Sequence, residues 1–383
     1  MSLQSEDTFP REDGSHNNLS QPLPSTNNNH GRRKLFTADD LGLLISKTFL
    51  NPVLTVPLAL FIRYTALGRA FTHDPATTAW YIGLLAIIGF IKEVSEWLDR
   101  GVMNNWVEDT YDWNKELVVV TGGSDGIGAY IVKLLSENGI EVCILDIQEP
   151  KYDLPPNIHF YNCDLATPTA IASTASQIRT EQGNPTILIN NAGLMRGGPV
   201  PSLSASDIRT TFAVNTLSHY HLARAFLPSM VKQNHGMLVT VASVSGCLLA
   251  PSMTLYGASK AAAIAFHEGL AAELATVLAA PRVRTVLVAP GHTATALAEG
   301  FDAGDGWLMY ALDPETVGRA IVDAVMEGRS REFVLPLGNH WIVAVVGVVP
   351  AWVRYRFRQR LVKVMKGFRG RQVSQPSEGK KAA

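Results

Sequence analysis

Hydrophobic and polar positions divide the 383-residue chain into five zones. Residues 1–34 are rich in Asn, Ser, Pro and Gln, show no apolar periodicity and are expected to form a disordered tail. No apolar core follows the start within the first 30 residues, so no secretory signal is expected. Residues 35–112 carry two apolar runs. Thr48 to Ile62 lies between Lys47 and Arg63 but contains Pro52 and Pro57, and Pro75 to Ile91 holds 17 residues between Asp74 and Lys92. From residue 113 to 338 short apolar runs alternate with helix-length segments. Leu117–Val120, Val142–Asp146, Ile187–Asn190, Leu238–Val241 and Val286–Val288 read as strands buried on both faces of a parallel sheet. Ile127–Asn138, Ser204–Lys232 and Thr254–Ala279 read as helices between them, and the last strand is expected at Phe333–Leu337. The alternation predicts an α/β, doubly wound, mainly parallel sheet with helices on both faces. Residues 339–372 hold a third apolar stretch, Trp341–Val353, and a basic segment; residues 373–383 are expected to be a second disordered tail.

A spanning helix needs about 20 apolar residues, with about 17 as the lower limit. The second run just meets that length and the first is short and interrupted by proline, so the pair is expected to be a membrane anchor, a hairpin or a monotopic insertion. The alternative is two buried core helices. Arg32, Arg33 and Lys34 before the pair and Lys92 after it favour cytoplasmic placement of both flanks. Composition agrees: 17% charged residues is low against about 25% in typical chains. The formal net charge of −1 gives no overall footprint for nucleic acid. That near-neutrality hides a polarised molecule, with eight cations and no acid between Arg354 and Arg371, +9 from residue 354 to the end and −10 elsewhere. Phe357, Leu361, Val364, Met365 and Phe368 share one helical face, which predicts a basic amphipathic helix lying on a membrane surface. A charged face that is merely solvated is the plain alternative. Three widely spaced cysteines exclude a disulfide framework and a CxxC-type zinc site.

The first strand of the alternating region runs into Thr121-Gly122-Gly123-Ser124-Asp125-Gly126-Ile127-Gly128 and then a helix. Gly122 permits the tight turn, Gly126 lets backbone approach a pyrophosphate, and Gly128 lets the helix pack against the sheet. The helix start offers unpaired N–H groups and a dipole that favours anions. Ser124, Asp125 and Ile127 complete the loop, with Asp125 standing where a phosphate-binding cation would otherwise sit. The second strand ends at Asp146, 18 residues beyond Gly128. A carboxylate there accepts both ribose hydroxyls and repels a 2′-phosphate, which favours NAD while not excluding NADP. Asp164, expected to end the third strand, is placed to meet an adenine. A simple turn-forming role is the alternative for both aspartates.

Tyr256 and Lys260 are four residues apart in a helical segment and share a face. Ser243 precedes Tyr256 by 13 residues at the end of a strand, and Asn215 sits inside a long helix. A tyrosine with an ordinary pKa of about 10 needs roughly 3 units, or about 4 kcal/mol, to ionise near neutrality. An adjacent ammonium and a nicotinamide cation supply much of that. Tyr256 is then expected to take the alcohol proton as hydride leaves for the cofactor, with Ser243 holding the substrate oxygen and Lys260 gripping the ribose. His219, His221, His235 and His292 have no metal-binding spacing, and no metal is expected; His292 follows Pro290-Gly291, near the cofactor mouth. Thr295–Leu312 is expected to form a substrate lid with Phe301, Trp307, Met309 and Tyr310 as its apolar wall, or merely to pack on the domain.

Thr121-Gly122-x-x-x-Gly126-x-Gly128, Asn190-Asn191-Ala192-Gly193, Asn215, Ser243, Tyr256-x-x-x-Lys260 and Pro290-Gly291 with Thr293 and Thr295 resemble the short-chain dehydrogenase/reductase family over roughly residues 115–338. The resemblance implies a Rossmann sheet of seven strands and a catalytic set of Asn215, Ser243, Tyr256 and Lys260, with Asn215 holding a water that relays protons from Lys260. It implies further that Asn191 and Ala192 lie against the adenine ribose, and that Pro290, Gly291 and the Thr293 backbone border the carboxamide. Leu145-Asp146-Ile147, Phe226-Leu227-Pro228-Ser229-Met230 and the run from Asn234 to Ser243 are similar to the branch with 17-beta-hydroxysteroid dehydrogenase type 11 and retinol dehydrogenase type 10. That branch implies an enzyme of the endoplasmic reticulum membrane or lipid droplet, its catalytic domain facing the cytoplasm, acting on a lipophilic steroid, retinoid or long-chain alcohol; a homodimer is compatible with it. The longer N-terminal extension and the Gly257-Ala258-Ser259 filler depart from the branch. Two other readings stay open: a non-catalytic Rossmann scaffold on a lipid surface, and a soluble carbonyl reductase of a small metabolite.

Overall fold

The computed structural model describes residues 37–301, 307, 310–365, 367–368 and 375–376. The expected N-terminal tail, most of the second tail and Met309 lie outside them.

Four helices come first: α1 (Ala38–Lys47), α2 (Pro52–Tyr64), α3 (Ala66–Ala70) and α4 (Pro75–Met103). Pro52 and Pro75 occupy first helical positions, where the missing N–H costs nothing, and Asn51 and Asp74 cap the two helices through their side chains. Pro57 lies inside α2 without ending it. At 29 residues, or about 43 Å, α4 is long and apolar enough to cross a membrane, and α1 with α2 forms a second apolar pair bent by 56°. α2 packs along α4, where Gly89 allows contact with the Leu50 backbone. The outer faces stay bare: Val53 is 78% exposed, Trp80 63% and Ile91 61%. The alternative of two buried core helices therefore does not hold for this pair.

The alternating region contains seven parallel strands: β1 (Leu117–Thr121), β2 (Glu141–Asp146), β3 (Ile158–Asn162), β4 (Ile187–Asn190), β5 (Met237–Val241), β6 (Arg284–Pro290) and β7 (Arg331–Leu335). Their order is β3-β2-β1-β4-β5-β6-β7. Every residue of β1, β4, β5 and β6 is buried, which explains why these runs are continuously apolar where a half-exposed strand would alternate. On one face Val118, Val120, Val142, Ile144 and Val286 pack with α5 (Gly126–Glu137) and α10 (Pro314–Met326). On the other, Val119, Cys143, Leu188 and Leu238 pack with α6 (Pro168–Glu181), α8 (Ser218–Gln233) and α9 (Thr254–Thr276). From β1 the chain moves to β2 and β3, then returns across the sheet to β4. The carboxyl ends of β1 and β4 thus part at a switch point and open a crevice.

Several boundaries differ from the sequence reading. The third strand ends at Asn162, leaving Asp164 in the following turn. The last strand lies at Arg331–Leu335, because Pro336 brings no N–H to continue the ladder. The segment expected as one helix from Ser204 is α7 (Ala205–Phe212), a π-turn (Ala213–Leu217) and α8. α11 (Leu337–Val348) and α12 (Ala351–Arg360) follow the sheet, and the basic helix stops at Arg360, giving way to a 3-10 segment, Leu361–Met365.

Both ends of the N-terminal helices are tied to the sheet domain. Asp39 of α1 accepts from the backbone N–H groups of Leu337 (2.9 Å) and Gly338 (2.7 Å) and from the Tyr310 hydroxyl (3.1 Å). Beyond α4, Asn104 exchanges hydrogen bonds with the Ser330 backbone, while the buried Arg284 guanidinium donates to the carbonyls of Asn104 (3.1 Å) and Val107 (2.6 Å). A buried guanidinium bonded to backbone carbonyls fixes register as well as position.

Candidate active site

The turn after β1 is shaped by residues that have no side chain to spare. Gly122 and Gly126 have φ of +66° and +57°, in the left-handed region that glycine adopts freely. A Cβ on Gly122 would stand 2.9 Å from the Ala192 Cα, and one on Gly128 would strike the Gly122 carbonyl and lie 2.6 Å from Asn191 Nδ2. Asn191 Nδ2 donates to the carbonyls of Thr121 (3.0 Å) and Gly122 (3.2 Å), while the Thr121 hydroxyl accepts from the backbone N–H of Asn191 and of Ala192, both at 3.0 Å. The ends of β1 and β4 are therefore pinned together beneath the α5 N-terminus. Asp125 caps α5, accepting from the Gly126 N–H at 2.7 Å.

A cleft opens beyond this turn, lined by Gly122, Asp125, Gly126, Ile127, Asp146, Asn191 and Ala192, among others. At the end of β2, Asp146 accepts from the N–H groups of Ser124 and Gln148, each at 3.1 Å, and the Ser124 hydroxyl donates to the Gln148 carbonyl at 2.6 Å. Burial pushes the Asp146 carboxyl above the ordinary carboxylate range, with those backbone donors pulling it back. Asp164 is placed differently: its carboxylate accepts from the Ala166 N–H (2.8 Å) and the Thr167 hydroxyl (3.2 Å), so it shapes the turn into α6. Its neighbours Cys163 and Leu165 line the cleft, and the strand ends two residues before Asp164. The glycine cradle, the helix N-terminus and the strand-end carboxylate fit a dinucleotide and would hold its anionic and hydroxyl groups.

The second cleft adjoins the first and measures about 1010 Å³ including its open mouth. Ser243, Tyr256 and Lys260 lie at its base, with Pro290, Gly291, His292 and Thr293 on the β6 side. Tyr256 and Lys260 come from successive turns of α9 and are both buried. Burial pushes the Tyr256 phenol upward, with the Ser243 hydroxyl acting against it by hydrogen bond. Ser243 also accepts from the Ser245 N–H at 3.1 Å and donates to the Pro290 carbonyl at 3.4 Å. Lys260 Nζ donates to the Val241 carbonyl at 2.8 Å, and desolvation lowers its pKa to about 8, so the ammonium persists at neutral pH. A Cβ on Gly193 would stand 3.4 Å from Lys260 Nζ and 3.6 Å from Asn215 Oδ1, so both polar heads converge on a bare backbone.

Asn215 reaches this point through the π-turn. Its Oδ1 accepts from the Leu194 N–H (2.7 Å), while Nδ2 donates to the Leu194 carbonyl (2.8 Å) and the Ser259 hydroxyl (2.9 Å). Ser259 and Leu194 therefore hold Asn215, a relation that no spacing in the sequence signals. Of the expected lid wall, Phe301 lines the cleft beside Leu297. Trp307 and Tyr310 do not: the Trp307 carbonyl accepts from the Ala38 N–H and Tyr310 bonds Asp39, so both serve the junction with α1. The sequence reading also missed Met195, Leu248, Ala250 and Met253, whose only signal is apolarity.

A doubly wound parallel sheet with a glycine cradle at its switch point and a buried Ser-Tyr-Lys set defines a nicotinamide-dependent oxidoreductase acting on CH–OH groups. Comparison with known proteins agrees. The sequence profile of short chain dehydrogenases matches residues 116–305. Dehydrogenase RED2 of Cochliobolus heterostrophus is 38% identical over 214 residues, covering 55% of this chain and 81% of that protein. Estradiol 17-beta-dehydrogenase 11 of Rattus norvegicus is 32% identical, covering 57% of this chain and 75% of the relative. A short chain dehydrogenase from Burkholderia cenocepacia J2315, solved with NADP, superposes with a TM-score of 0.55 at 27% identity over 63% of this chain and 98% of its own. The chain belongs to the short-chain dehydrogenase/reductase family, as its motifs imply.

The buried Lys260 cation has a measurable signature. Its folded pKa of about 8 lies below the ordinary 10.5, so between those values the unfolded chain binds the proton and the folded one does not. Stability therefore rises with pH through that window, by about 2 kcal/mol between about pH 8 and about pH 10 for this group. Urea unfolding of Lys260→Met is expected to lose that rise; an equal rise in both proteins would refute the assignment.

Proposed function

We propose that the protein is a membrane-associated oxidoreductase that interconverts a lipophilic alcohol and its carbonyl. The observation that carries this reading is the buried Tyr256–Ser243 pair at the base of a cleft whose walls are Met195, Leu248, Ala250, Met253 and Phe301. Such walls bind an apolar body, while the polar base orients one oxygen. The name of the relative that acts on estradiol supports a steroid-like or other lipophilic substrate.

In the proposed mechanism a nicotinamide cofactor, when bound, accepts or donates hydride. The protein's own groups manage the proton. Ser243 donates to the substrate oxygen and fixes it beside the Tyr256 hydroxyl. Tyr256 takes the proton in oxidation and returns it in reduction. The Lys260 ammonium, held by the Val241 carbonyl, lowers the cost of the phenolate through its charge. Asn215 spends both of its N–H donors on Leu194 and Ser259 and its Oδ1 on the Leu194 N–H, so its first task is to position the Gly193–Leu194 backbone against Lys260. One lone pair of Oδ1 is left to hold a relay water, in keeping with the role expected from the family.

Asp146 supports a preference for NAD, since a 2′-phosphate there would face a half-buried carboxylate already held by backbone donors. The exposed apolar faces of α2 and α4 support membrane insertion, and the tie between α4 and the β6 and β7 starts would hold the catalytic domain against the bilayer surface. An endoplasmic reticulum or lipid-droplet surface is the proposed location.

Three measurements test the reading. Tyr256→Phe is expected to lower turnover of retinoid, sterol or fatty alcohols by roughly 10²-fold or more while still binding dinucleotide, as read by fluorescence titration; retained turnover would sink the mechanism. Asp146→Ala is expected to narrow the gap in kcat/KM between NAD and NADP, and an unchanged ratio would show that another residue sets it. Carbonate extraction of membranes is expected to leave the full chain in the pellet, whereas release to the supernatant would count against insertion.

A further inference from the structure

The apolar face that follows the basic helix does not lie open to a bilayer. Leu361 and Val364 line the cleft that holds Ser243 and Tyr256. Leu361, Met365 and Phe368 pack on Met195, Ala250, Met253 and Tyr256. Two glycines make the seat for this strap. A Cβ on Gly197 would stand 2.7 Å from Met365 Cε and 3.2 Å from Phe368 Cε1, and a Cβ on Gly367 would stand 3.0 Å from the Gly300 carbonyl. Further on, Gln375 is buried and lines the cofactor cleft. Described residues of the chain end thus stand at both clefts. Arg356, Arg360 and Lys363 are exposed while Arg354 and Arg358 are half-buried, so part of the charge that made the segment read as membrane-seeking stays in solvent while its apolar side faces the site.

We propose that the strap Leu361–Phe368 is the outer wall of the substrate site and sets how long an apolar substrate this chain accepts, an inference that rests on the oxidoreductase reading above. The wall lies beyond residues 116–305, the part that the family profile matches. Among the described residues the strap touches the site through apolar contacts alone, which are non-directional and yield to a change of side-chain size without unpairing a polar group. Val364 and Leu361 stand nearest the cleft, so their volume decides whether a chain extending outward from Tyr256 finds space or a wall.

The full-length protein in lipid vesicles is assayed with straight-chain primary alcohols from butanol to hexadecanol and with its preferred dinucleotide. Affinity for a pyrene-labelled long-chain alcohol is read by fluorescence in parallel, independent of turnover. Val364→Trp is expected to lower the hexadecanol-to-butanol ratio of kcat/KM by roughly tenfold or more and to weaken the pyrene probe; Val364→Ala is expected to move both in the opposite direction. If the ratio and the probe affinity stay unchanged in both variants, the strap is not the wall. If the unaltered protein turns over no alcohol, the proposed activity fails, and the probe alone then decides: weaker binding by Val364→Trp supports the wall, and equal binding overturns it. Should Val364→Trp fail to bind dinucleotide, and so fail to fold, Val364→Ala and Leu361→Ala carry the test.

Discussion

The approach of the β1 turn to the end of β4 is the contact on which the rest of the site depends. Gly122, Gly128 and Asn191 meet at a distance that leaves no space for a Cβ, and Thr121 and Asn191 cross-link the two strand ends through four hydrogen bonds. This contact sets where the α5 N-terminus points and therefore where an anion is stabilised. It also sets where Gly193 and Leu194 leave β4, and these two residues meet Lys260 and Asn215. One backbone approach thus aligns the glycine turn with the Lys260 and Asn215 side chains.

Burial does the rest of the electrostatic work. Lys260 carries a charge in a place where desolvation opposes it, and its partner in hand is a carbonyl dipole instead of a carboxylate. An uncompensated cation in a low-dielectric site acts strongly on a neighbouring phenol, whereas a nearby acid would neutralise its field. The stability cost of holding that cation falls on the folded protein. Asn215 and Ser259 are also buried, but their polar groups are satisfied, so they hold geometry without adding charge.

Hydrophobicity in the flanking segments shows how little a pattern says about its partner. The runs at α2 and α4 and the face from Phe357 to Phe368 carry the same kind of apolar signal. The first pair leaves its apolar surface exposed, as a lipid-facing element would. The second packs on Val244, Leu248, Met253 and Tyr256 over the cleft that holds Ser243 and Lys260. Transfer out of water is non-directional, so amphipathic spacing records that a face is to be covered and leaves open what covers it. The same limit explains Trp307 and Tyr310: large aromatics beside a site read as a pocket wall, yet both answer to α1.

Local chemistry was legible in the sequence wherever a residue type is needed for a reason that spacing records. The glycines of the β1 turn, the four-residue interval between Tyr256 and Lys260, the strand-end Asp146 and the continuously apolar strands of a two-faced sheet are all of that kind, and each stands where it was expected. The third strand ends two residues before Asp164, since a strand end has no sharp signal, and the carboxylate accepts from the turn into α6. The hold of Ser259 and Leu194 on Asn215, the π-turn that delivers it and the strap over Tyr256 were decided by tertiary structure alone. Each depends on atoms far apart in the chain meeting at hydrogen-bond or van der Waals distance. Periodicity encodes which face of an element is buried, but only the packed chain determines which partner that face meets.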